Sequence, residues 1–576
     1  MENNVKPIEK GEICNIFIED MSSEGMGIGR TEGLVVFVGG AVVGDEVEAE
    51  ITKVKKNYAF AKLLKITKPS EHRREKHCGY AGECGGCMLA EVDYEGQLEL
   101  KEKQVRSKMS RIAGIENALI RPIIGMDDPV AYRNKAQMQI SCGGLITRKG
   151  GVMENLGECS IGFYRGKSHD VVNCERCLLQ APPAMAVADV LRRFVKSDNI
   201  IAYDPKWEKG LLRRVVVKTA FGTGEVMVIL VCNGKGIGNA AKLVEMLDDA
   251  VAELPPYEDG TYYSLESVVI NVNKTKDSTA MGDECITIAG SPVIREVVRL
   301  KGSVSGNEAG MSCAVSDADD KFLQLEFEIS PLSFYQVNPV QMKELYQKVL
   351  DYAALKGDET VLDLYCGVGT IGIFCANEMR RLTKKKYGTA DFEKMGKVIG
   401  IESIKGAVAD ANRNAVINGL ANAWFVCGKA EEKLPDILSG KEIMPGMKVE
   451  NSSKENDEYV CSENALKPDV IVLDPPRSGC KTELLETAVS AAPGKIIYVS
   501  CDPATLARDI AYLEANGYSF IEATPVDMFP HTGHVETCCL LERLRNAKDH
   551  VTFTLDMEDY YRIKDAETDK KNDSKN

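Results

Sequence analysis

Short apolar runs alternate with helix-like segments from Thr360 onward, and this alternation constrains the fold more than any other feature of the chain. The predicted strands and helices are, in order, Val361–Tyr365, Ile371–Glu378 (helix), Val398–Glu402, Ile404–Asn418 (helix), Val470–Leu473 and Ile496–Ser500. Strands that are apolar along their whole length are typical of a parallel sheet covered by helices on both faces. The sequence therefore predicts a doubly wound α/β domain whose ligand site lies at the carboxyl ends of its strands.

With 576 residues, the chain is too long for a single hydrophobic core. We predict a small OB-like β-barrel over residues 8–68, a central α+β domain over 69–330 and a Rossmann-like domain over 331–546. A polar helix over residues 95–113 is expected to pack on the Rossmann-like domain, and a polar insertion is expected over 439–467. Residues 547–576 are expected to form a flexible tail.

The barrel is predicted from about five short β-rich stretches that are separated by glycine turns. Its last part belongs to a segment from Ile51 to His77 that carries nine lysines and arginines, which could follow a phosphate backbone. The same side chains could equally form a solvated strand face. The net charge of −15 argues only weakly against a nucleic-acid partner, because the distribution of charge matters more than its sum.

Two features of the sequence point to a reducing compartment. No apolar run reaches the ~20 residues that span a bilayer, and the segment from Met1 to Lys6 contains no apolar signal sequence. Without secretion, 19 cysteines are better explained as metal ligands, catalytic groups or core residues than as disulfides. We therefore expect a cytoplasmic protein without a membrane partner.

Three cysteines, Cys78, Cys84 and Cys87, lie within ten residues of one another and are surrounded by glycines. Glycines let a chain fold around a metal, and three close thiols require a fourth ligand. Tetrathiolate sites suit zinc or an iron–sulfur cluster, and the spacing does not choose between them. The alternative is that these cysteines hold no metal.

Cys501 ends an apolar strand and precedes Pro503, which is typical of a helix start. A thiol at a helix N-terminus is expected to have a lowered pKa, because the helix dipole favours the thiolate. A thiolate at the ligand edge of a sheet is what a covalent nucleophile requires. The competing interpretation is a buried, inert cysteine, which is the commonest environment of a lone thiol.

The turn after the first predicted strand of the Rossmann-like domain is rich in glycine. Its glycines match the G-x-G-x-x-G pattern at Gly367, Gly369 and Gly372, which leaves a nicotinamide cofactor and an oxidoreductase open. Asp363 before the turn, together with Asp474 at a later strand end, favours S-adenosylmethionine. Glu402, at the end of the next strand, could hold two ribose hydroxyls. A tight turn without a ligand is the remaining alternative.

Several motifs together resemble one enzyme family. They are Phe334-Tyr-Gln-Val-Asn338, Leu362-Asp-Leu-Tyr-Cys-Gly-Val-Gly369, Asp474-Pro-Pro-Arg-Ser-Gly479, Ser500-Cys-Asp-Pro-Ala-Thr505 and Asp527-Met-Phe-Pro-His-Thr-Gly-His-Val-Glu536. In this order, the chain resembles the RNA uracil-5 methyltransferases, most closely the 23S ribosomal RNA group with an N-terminal TRAM domain and an iron–sulfur cluster. With the barrel and the cysteines, the resemblance covers most of the chain.

The resemblance implies roles for particular residues. Cys501 would be the nucleophile and Glu536 the base of a reaction that methylates carbon 5 of uridine. The residues that would line the S-adenosylmethionine pocket are Gln336, Tyr365, Glu402 and Asp474. The residues that would hold a [4Fe–4S] cluster are Cys78, Cys84, Cys87 and Cys177, with Cys174 and the more distant Cys159 as competitors for the fourth place.

The resemblance also implies partners, and it leaves rivals. We expect a monomer that binds RNA and modifies 23S ribosomal RNA. Transfer RNA is the first alternative substrate, although members that act on it generally lack both the TRAM barrel and the cluster. A non-catalytic RNA-binding protein that uses the barrel and the basic segment is an alternative of a different class. It would have no use for the thiol of Cys501.

Overall fold

A computed structural model describes residues 8–22, 24–75, 78–148, 153–166, 168–257, 260–276, 279–301, 322–441 and 466–544. Most of the predicted polar insertion and the whole predicted tail lie outside these residues. In the part that the structure describes, no helix is long and apolar enough to cross a bilayer.

The N-terminal residues form a five-stranded closed barrel, as the sequence predicted. Its strands are β1 (Ile13–Met21), β2 (Met26–Thr31), β3 (Leu34–Gly39), β4 (Glu46–Val54) and β5 (Tyr58–Lys68), joined in the order β1-β2-β3-β5-β4. Alternate residues of each strand point inward, so Ile18, Val36 and Ile51 are fully buried in the barrel core.

The outer face of the barrel carries three aromatic side chains. Phe37 of β3 is the register partner of Phe60 of β5, and Tyr58 lies on the same outward face. The three ring centroids are 5.6 to 5.8 Å apart. Because the barrel core lies on the other side of these strands, the rings form a half-exposed aromatic surface.

A helix predicted from its polar composition follows the barrel. Helix α1 (Tyr94–Lys108) is capped by Asp93, whose carboxylate accepts a hydrogen bond from Gly96 N at 2.7 Å, and it continues into one π-helical turn over Met109–Ala113. Both α1 and this turn pack on the C-terminal domain, against the helix that follows Cys501. These contacts hold α1, which follows the barrel in the chain order, on the C-terminal domain.

The central region is a seven-stranded sheet in the order β10-β9-β6-β11-β12-β13-β14, with two helices on one face. Its elements are β6 (Lys135–Ser141), β7 (Leu145–Thr147), β8 (Met153–Asn155), β9 (Ser160–Tyr164), β10 (Val171–Asn173), α2 (Pro182–Ser197), β11 (Leu212–Thr219), β12 (Glu225–Cys232), α3 (Ala240–Ala252), β13 (Ser264–Val272) and β14 (Glu284–Gly290). The small strands β7 and β8 pair separately. A two-stranded ribbon of β15 (Ile294–Lys301) and β16 (Phe322–Ile329) covers the other face of the sheet.

The C-terminal region is the predicted doubly wound domain. Its elements are α4 (Pro339–Ala353), β17 (Thr360–Leu364), α5 (Thr370–Tyr387), β18 (Lys397–Glu402), α6 (Lys405–Ile417), β19 (Ala423–Cys427), α7 (Ala430–Leu438), β20 (Val470–Leu473), α8 (Thr482–Ala491), β21 (Lys495–Ser500), α9 (Pro503–Ala515), β22 (Tyr518–Val526) and β23 (Glu536–Arg543). The strand order is β19-β18-β17-β20-β21-β23-β22, and β23 runs in the opposite direction to the other six strands of this sheet.

Helix α5 is longer than the sequence predicted. The apolar pattern indicated an end at Glu378, with a charged surface insertion over Arg380–Lys397, but the helix continues to Tyr387. Lys384, Lys385 and Lys386 lie in its last turn, where cations are favourable beside the partial negative charge of the helix end. Gly388 then ends the helix in the left-handed conformation, with φ of 77°.

One arginine of the predicted RNA-binding segment is used inside the protein. Asp45 is fully buried, and its carboxylate accepts hydrogen bonds from Arg73 at 2.7 Å, Val42 N at 2.7 Å and Ser70 N at 2.9 Å. Arg73 also donates to Glu91 at 2.8 Å. This arginine therefore joins the barrel to the segment after it rather than facing solvent.

We predict that Asp45→Ala lowers the free energy of unfolding by about 3 kcal/mol, because it leaves the mostly buried Arg73 without its main partner. Denaturant unfolding of the purified protein measures the change. Glu46→Ala is the control, since the exposed pair of Glu46 with Lys68 should contribute less than about 1 kcal/mol. Equal losses in the two variants would contradict the prediction.

Candidate active site

The strand order turns back between β17 and β20, and ligands of doubly wound sheets bind at such a switch point. Tyr365 directly follows β17, and Asp474 directly follows β20. Asp474 N donates a hydrogen bond to Leu364 O at 3.3 Å, so the two strand ends lie side by side. The structure therefore brings two of the predicted pocket residues, Tyr365 and Asp474, to the switch point.

Cys501 and Glu536 lie next to each other at one end of the strand pair β21 and β23. In the antiparallel register of β21 and β23, Ser500 is the partner of Thr537, so the next pair outward is Cys501 with Glu536. Directly opposed residues of antiparallel strands hold their Cβ atoms about 4.5–5.5 Å apart. Glu536 is only 5% exposed, whereas Cys501 is partly buried. A thiol and a carboxyl group thus lie together at the predicted ligand edge.

The two carboxyl groups near this thiol have raised pKa values. Burial and the neighbouring Asp474 raise the pKa of Glu536 to about 8. Burial alone raises the pKa of Asp474 to about 7. Near neutral pH both carboxyl groups are therefore partly protonated, which reduces the repulsion between two acids in one enclosed site.

The predicted lowering of the Cys501 pKa is wrong for the protein without ligands. Burial, and then the negative charge of Glu536, raise the pKa of this thiol to about 11. The first amide groups of α9 do not stabilise the thiolate, because the Asp502 carboxylate accepts hydrogen bonds from Ala504 N at 2.9 Å and Thr505 N at 3.0 Å. The predicted effect of the helix dipole on the thiol did not take this cap into account.

The positive charge of Arg477 opposes the rise in the pKa values of the thiol and the carboxyl. This charge lowers the pKa of both Cys501 and Glu536, although burial outweighs it in each case. The guanidinium is exposed, and its Nη2 atom lies 3.3 Å from Nε2 of His534. Arg477 is therefore a cation at the rim of the site that favours the charged forms of the thiol and the carboxyl.

The glycine turn after β17 has the features of a ligand cradle. Gly367 has φ of 56°, and no atom lies within 4 Å of where its Cβ would be. Asp363 Oδ2 accepts a hydrogen bond from Gly372 N at 2.8 Å, whereas the buried Oδ1 of the same side chain has no hydrogen-bond partner. Burial raises the Asp363 pKa to about 7. Open space beside an unpaired buried oxygen fits a polar ligand at this turn.

Glu402 lies at the end of β18, beside the same turn. Its Oε2 accepts a hydrogen bond from Gly367 N at 3.1 Å, and its Oε1 accepts from Ile404 N at 2.8 Å and Ser403 Oγ at 3.0 Å. A carboxylate offers about four acceptor positions, so Oε2 retains capacity for a ligand hydroxyl. The carboxylate is held rigidly where the sequence predicted it.

Gln336 is the predicted pocket residue with the least direct connection to this edge. It is buried, and its backbone carbonyl accepts a hydrogen bond from Asn134 Nδ2 at 3.0 Å. Two residues later, Asn338 caps α4 and donates to Met528 O at 3.1 Å. The segment of Gln336 is thus tied to the loop that leads to Glu536, and its pocket role stays a prediction.

The predicted cysteines line one cavity of about 390 Å³. Its thiols are those of Cys78, Cys84, Cys87, Cys174 and Cys177, so both nearby candidates for the fourth ligand border it. Cys159 does not, because its thiol is in hydrogen-bond contact with that of Cys142 across β6 and β9. Within the described ranges, no three His, Cys, Asp or Glu side chains are close enough to hold a single metal ion.

A buried ion pair that the sequence did not predict lies at the start of the segment that leads to Glu536. Lys101 of α1 and Asp527, which follows β22, are both fully buried, and Nζ lies 2.5 Å from Oδ1. Asp527 belongs to one of the recognised motifs, which was a signal for its importance. Nothing in the sequence indicated its partner, because the two residues are 426 positions apart.

Comparisons with known proteins agree with this architecture. The family model described as TRAM domain matches residues 7–64, and that described as tRNA (Uracil-5-)-methyltransferase matches residues 317–544. A protein of Caldanaerobacter subterraneus subsp. tengcongensis named an uncharacterized RNA methyltransferase is 37% identical, over 93% of this chain and 99% of its own. One of Bacillus cereus with a similar name is 36% identical, over 93% and 98%.

A solved structure extends these matches to the fold. The crystal structure of Pyrococcus abyssi tRNA (uracil-54, C5)-methyltransferase, in complex with S-adenosyl-L-homocysteine, aligns with a TM-score of 0.59 and 25% identity. The alignment covers 92% of this chain and 100% of that one. The barrel and the doubly wound domain together define a methyltransferase that acts on RNA. The chain belongs to the RNA uracil-5 methyltransferase family.

We predict that Glu536→Gln stabilises the protein without ligands, and does so more at high pH. Because the folded state raises the Glu536 pKa from its ordinary 4.5 to about 8, it holds more protons than the unfolded chain between these values, and stability falls as pH rises through that window. Glutamine removes this loss. Thermal unfolding at pH 5 and pH 8.5 measures it, with the exposed Glu542→Gln of the same strand as the control. A difference in Tm that shrinks with pH would contradict the pKa assignment.

Proposed function

We propose that this protein transfers a methyl group from S-adenosylmethionine to carbon 5 of a uridine in RNA, with Cys501 as the nucleophile and Glu536 as the base. The observation that carries the proposal is the proximity of this thiol and this carboxyl, which directly follow the Ser500 and Thr537 pair of β21 and β23 and interact electrostatically. A structural cysteine would not need a protonatable acid as its neighbour.

The proposed reaction uses each group once. The Cys501 thiolate adds to carbon 6 of uracil, and the electron pair of the carbon 5–carbon 6 double bond moves into an enolate. Carbon 5 then takes the methyl group, which bound S-adenosylmethionine supplies from its sulfonium. Glu536 removes the carbon 5 proton, the double bond forms again, and Cys501 leaves as a thiolate. The sequence involves no net oxidation or reduction.

The glycine turn and its neighbours would hold the methyl donor. Glu402 would accept hydrogen bonds from the ribose hydroxyls at Oε2, and the open space at Gly367 would admit the ligand close to the backbone. Asp363 Oδ1 provides an unpaired buried acceptor next to them. Asp474, Tyr365 and Gln336 complete the proposed pocket. The Pyrococcus abyssi enzyme, solved in complex with S-adenosyl-L-homocysteine, supports S-adenosylmethionine over a nicotinamide dinucleotide as the ligand of this turn.

RNA binding is proposed for the barrel as well as for the site. A uracil has to leave its stack to reach a partly buried thiol, so the substrate is flipped or unpaired at this base. The aromatic surface of Phe37, Tyr58 and Phe60 could stack unpaired bases, with the exposed Lys53 and Lys62 beside it. These contacts would let a chain with a net charge of −15 bind RNA locally.

We propose 23S ribosomal RNA as the substrate, with transfer RNA as the second candidate. The motifs and the predicted cluster support ribosomal RNA through the resemblance. The family model and the Pyrococcus abyssi structure carry names that refer to transfer RNA. The alignment with that structure covers 92% of this chain, so the residues outside the alignment are too few to include the whole barrel. The barrel therefore does not by itself exclude transfer RNA.

We further propose that the cysteine cavity holds a [4Fe–4S] cluster. Thiolates of such a cluster each bind a different iron, so they stand further apart than the ligands of a single zinc ion. A cavity of about 390 Å³ bordered by five thiols fits that arrangement better than a mononuclear site. Arg74, Arg133, Lys135 and Arg176 also line it and would balance the negative charge of the thiolates. Cys177 is the proposed fourth ligand, with Cys174 as its rival.

Metal content tests the cluster. We expect Cys87→Ser, prepared without oxygen, to lose most of the iron and sulfide of the wild-type protein. Cys142→Ser is the matched control, because Cys142 is a buried cysteine that does not border the cavity. Comparing Cys177→Ser with Cys174→Ser identifies the fourth ligand. Wild-type protein that contains zinc, or neither iron nor sulfide, would contradict the proposal.

Trapping with 5-fluorouridine tests the reaction. We expect the protein, with S-adenosylmethionine and RNA that carries this base, to form a covalent complex, because fluorine at carbon 5 cannot leave as a proton. Cys501→Ala should form none, and mass spectrometry should locate the link at Cys501. Supplying 23S ribosomal RNA and transfer RNA separately, and measuring 5-methyluridine, identifies the substrate. A Cys501→Ala variant with full activity would refute the nucleophile, and a wild-type protein inactive on both RNAs would refute the proposed function.

A further inference from the structure

Glu536 follows a loop that makes many of its contacts with residues outside the doubly wound domain. The loop runs from Asp527 to Val535, between β22 and β23, and Glu536 is the first residue after it. We propose that Gln97 and Lys101 of α1 are positioning residues for Glu536, which act by fixing this loop for the final elimination step. The inference depends on the proposed function.

The start of the loop is anchored by a buried charge pair. Lys101 Nζ donates to Asp527 Oδ1 at 2.5 Å and to Phe529 O at 3.0 Å. Tyr94 donates its hydroxyl to Asp527 Oδ2 at 3.0 Å. Lys101 and Asp527 have no exposed surface, so a change in either leaves an unpaired charge away from water. The pair therefore holds the loop in one position.

The middle of the loop is held at His531, whose backbone is in an unfavourable conformation. Its φ is 66°, a value that costs free energy for a residue other than glycine and persists only where the surroundings enforce it. His531 N donates to Gln97 Oε1 at 2.7 Å, and His531 O accepts from Leu89 N at 3.0 Å. Both backbone groups are thus bound to the segment that contains α1.

The His531 ring also binds to residues outside the loop. Nδ1 accepts from Arg74 Nη2 at 3.0 Å and from Gln97 Nε2 at 3.2 Å, and Nε2 donates to Pro129 O at 3.1 Å. These partners require the neutral tautomer with its proton on Nε2. Since both nitrogens have partners in the protein, the ring serves to hold the loop rather than to transfer protons.

The backbone beside the loop is fixed by the same part of the chain. Arg121 N donates to Ala523 O at 2.8 Å, and Ile124 N donates to Pro525 O at 2.9 Å. Asp527 N in turn donates to Ile124 O at 2.9 Å. The segment after α1 therefore pairs with the edge strand β22 up to the residue where the loop begins.

Cys501 depends less on these contacts than Glu536 does. Its position follows from β21, from β20 on one side, and from the Asp502 cap of α9. A loosened loop should therefore displace the base while the nucleophile keeps its place. Addition of Cys501 to carbon 6 and methyl transfer would proceed, but removal of the carbon 5 proton would slow. The bond between sulfur and carbon 6 would then persist in the methylated intermediate.

The test measures how the reaction divides between these steps. Gln97→Met keeps the length of the side chain and removes its hydrogen bonds to His531 without burying a charge. We expect this variant, with ordinary uridine RNA and methyl-labelled S-adenosylmethionine, to accumulate a methylated covalent complex and to release product about tenfold more slowly. Covalent capture of 5-fluorouridine RNA, which does not need the base, should keep its wild-type rate.

A second variant tests the same positioning role independently, so that the test does not depend on whether Gln97→Met folds. Lys101→Met combined with Asp527→Asn removes the anchor without leaving a lone charge, and it should show the same accumulation. Lys103→Met is the matched control, because Lys103 lies on the same helix with its side chain 55% exposed, and it should behave as wild type.

The outcomes separate this inference from the proposed function. Suppose that the wild-type protein captures 5-fluorouridine RNA. If both variants then lose capture and product release equally, or if both behave as Lys103→Met does, the positioning role is wrong and the proposed reaction stands. If the wild-type protein captures no such RNA, the proposed function itself fails.

Discussion

The antiparallel pairing of β23 with β21 is the constraint on which the site depends. The neighbouring pairs β17 with β18, β17 with β20 and β20 with β21 are all parallel, so these strands end at the same edge of the sheet. A strand that runs the other way begins at that edge instead of ending there. Glu536 can therefore open β23 one position beyond the Ser500 and Thr537 pair, next to Cys501, which directly follows β21. One reversed strand thus brings an acid to the thiol at this edge.

This arrangement concentrates acids in an enclosed place, and the protein tolerates it by keeping them partly protonated. Burial raises the pKa of Glu536, Asp474 and Asp363, each to about 7 or 8. The same burial disfavours the thiolate of Cys501. Near neutral pH these carboxyls are therefore only partly ionised, and a cation such as Arg477, or a positively charged ligand, shifts them towards the ionised forms.

The doubly wound domain does not build this site alone. Helix α1 and the segment after it reach across to β22 and to the loop before Glu536, and His531 also borders the cysteine cavity. The metal-binding region proposed from the sequence and the site proposed from the motifs are therefore neighbours that share one histidine.

The sequence by itself determined the local features of this protein. Its apolar runs predicted the parallel sheet, its glycine turns predicted the barrel, and its motifs singled out Cys501 and Glu536. The raised Cys501 pKa and the partnership of Lys101 with Asp527 were decided only by the tertiary structure. Periodicity and turn chemistry act over a few residues and can be read from the sequence, and the lysines and Gly388 that end α5 are signals of this local kind. Burial, charge proximity and strand pairing depend on residues from separate elements of the chain, and only the folded chain brings these together.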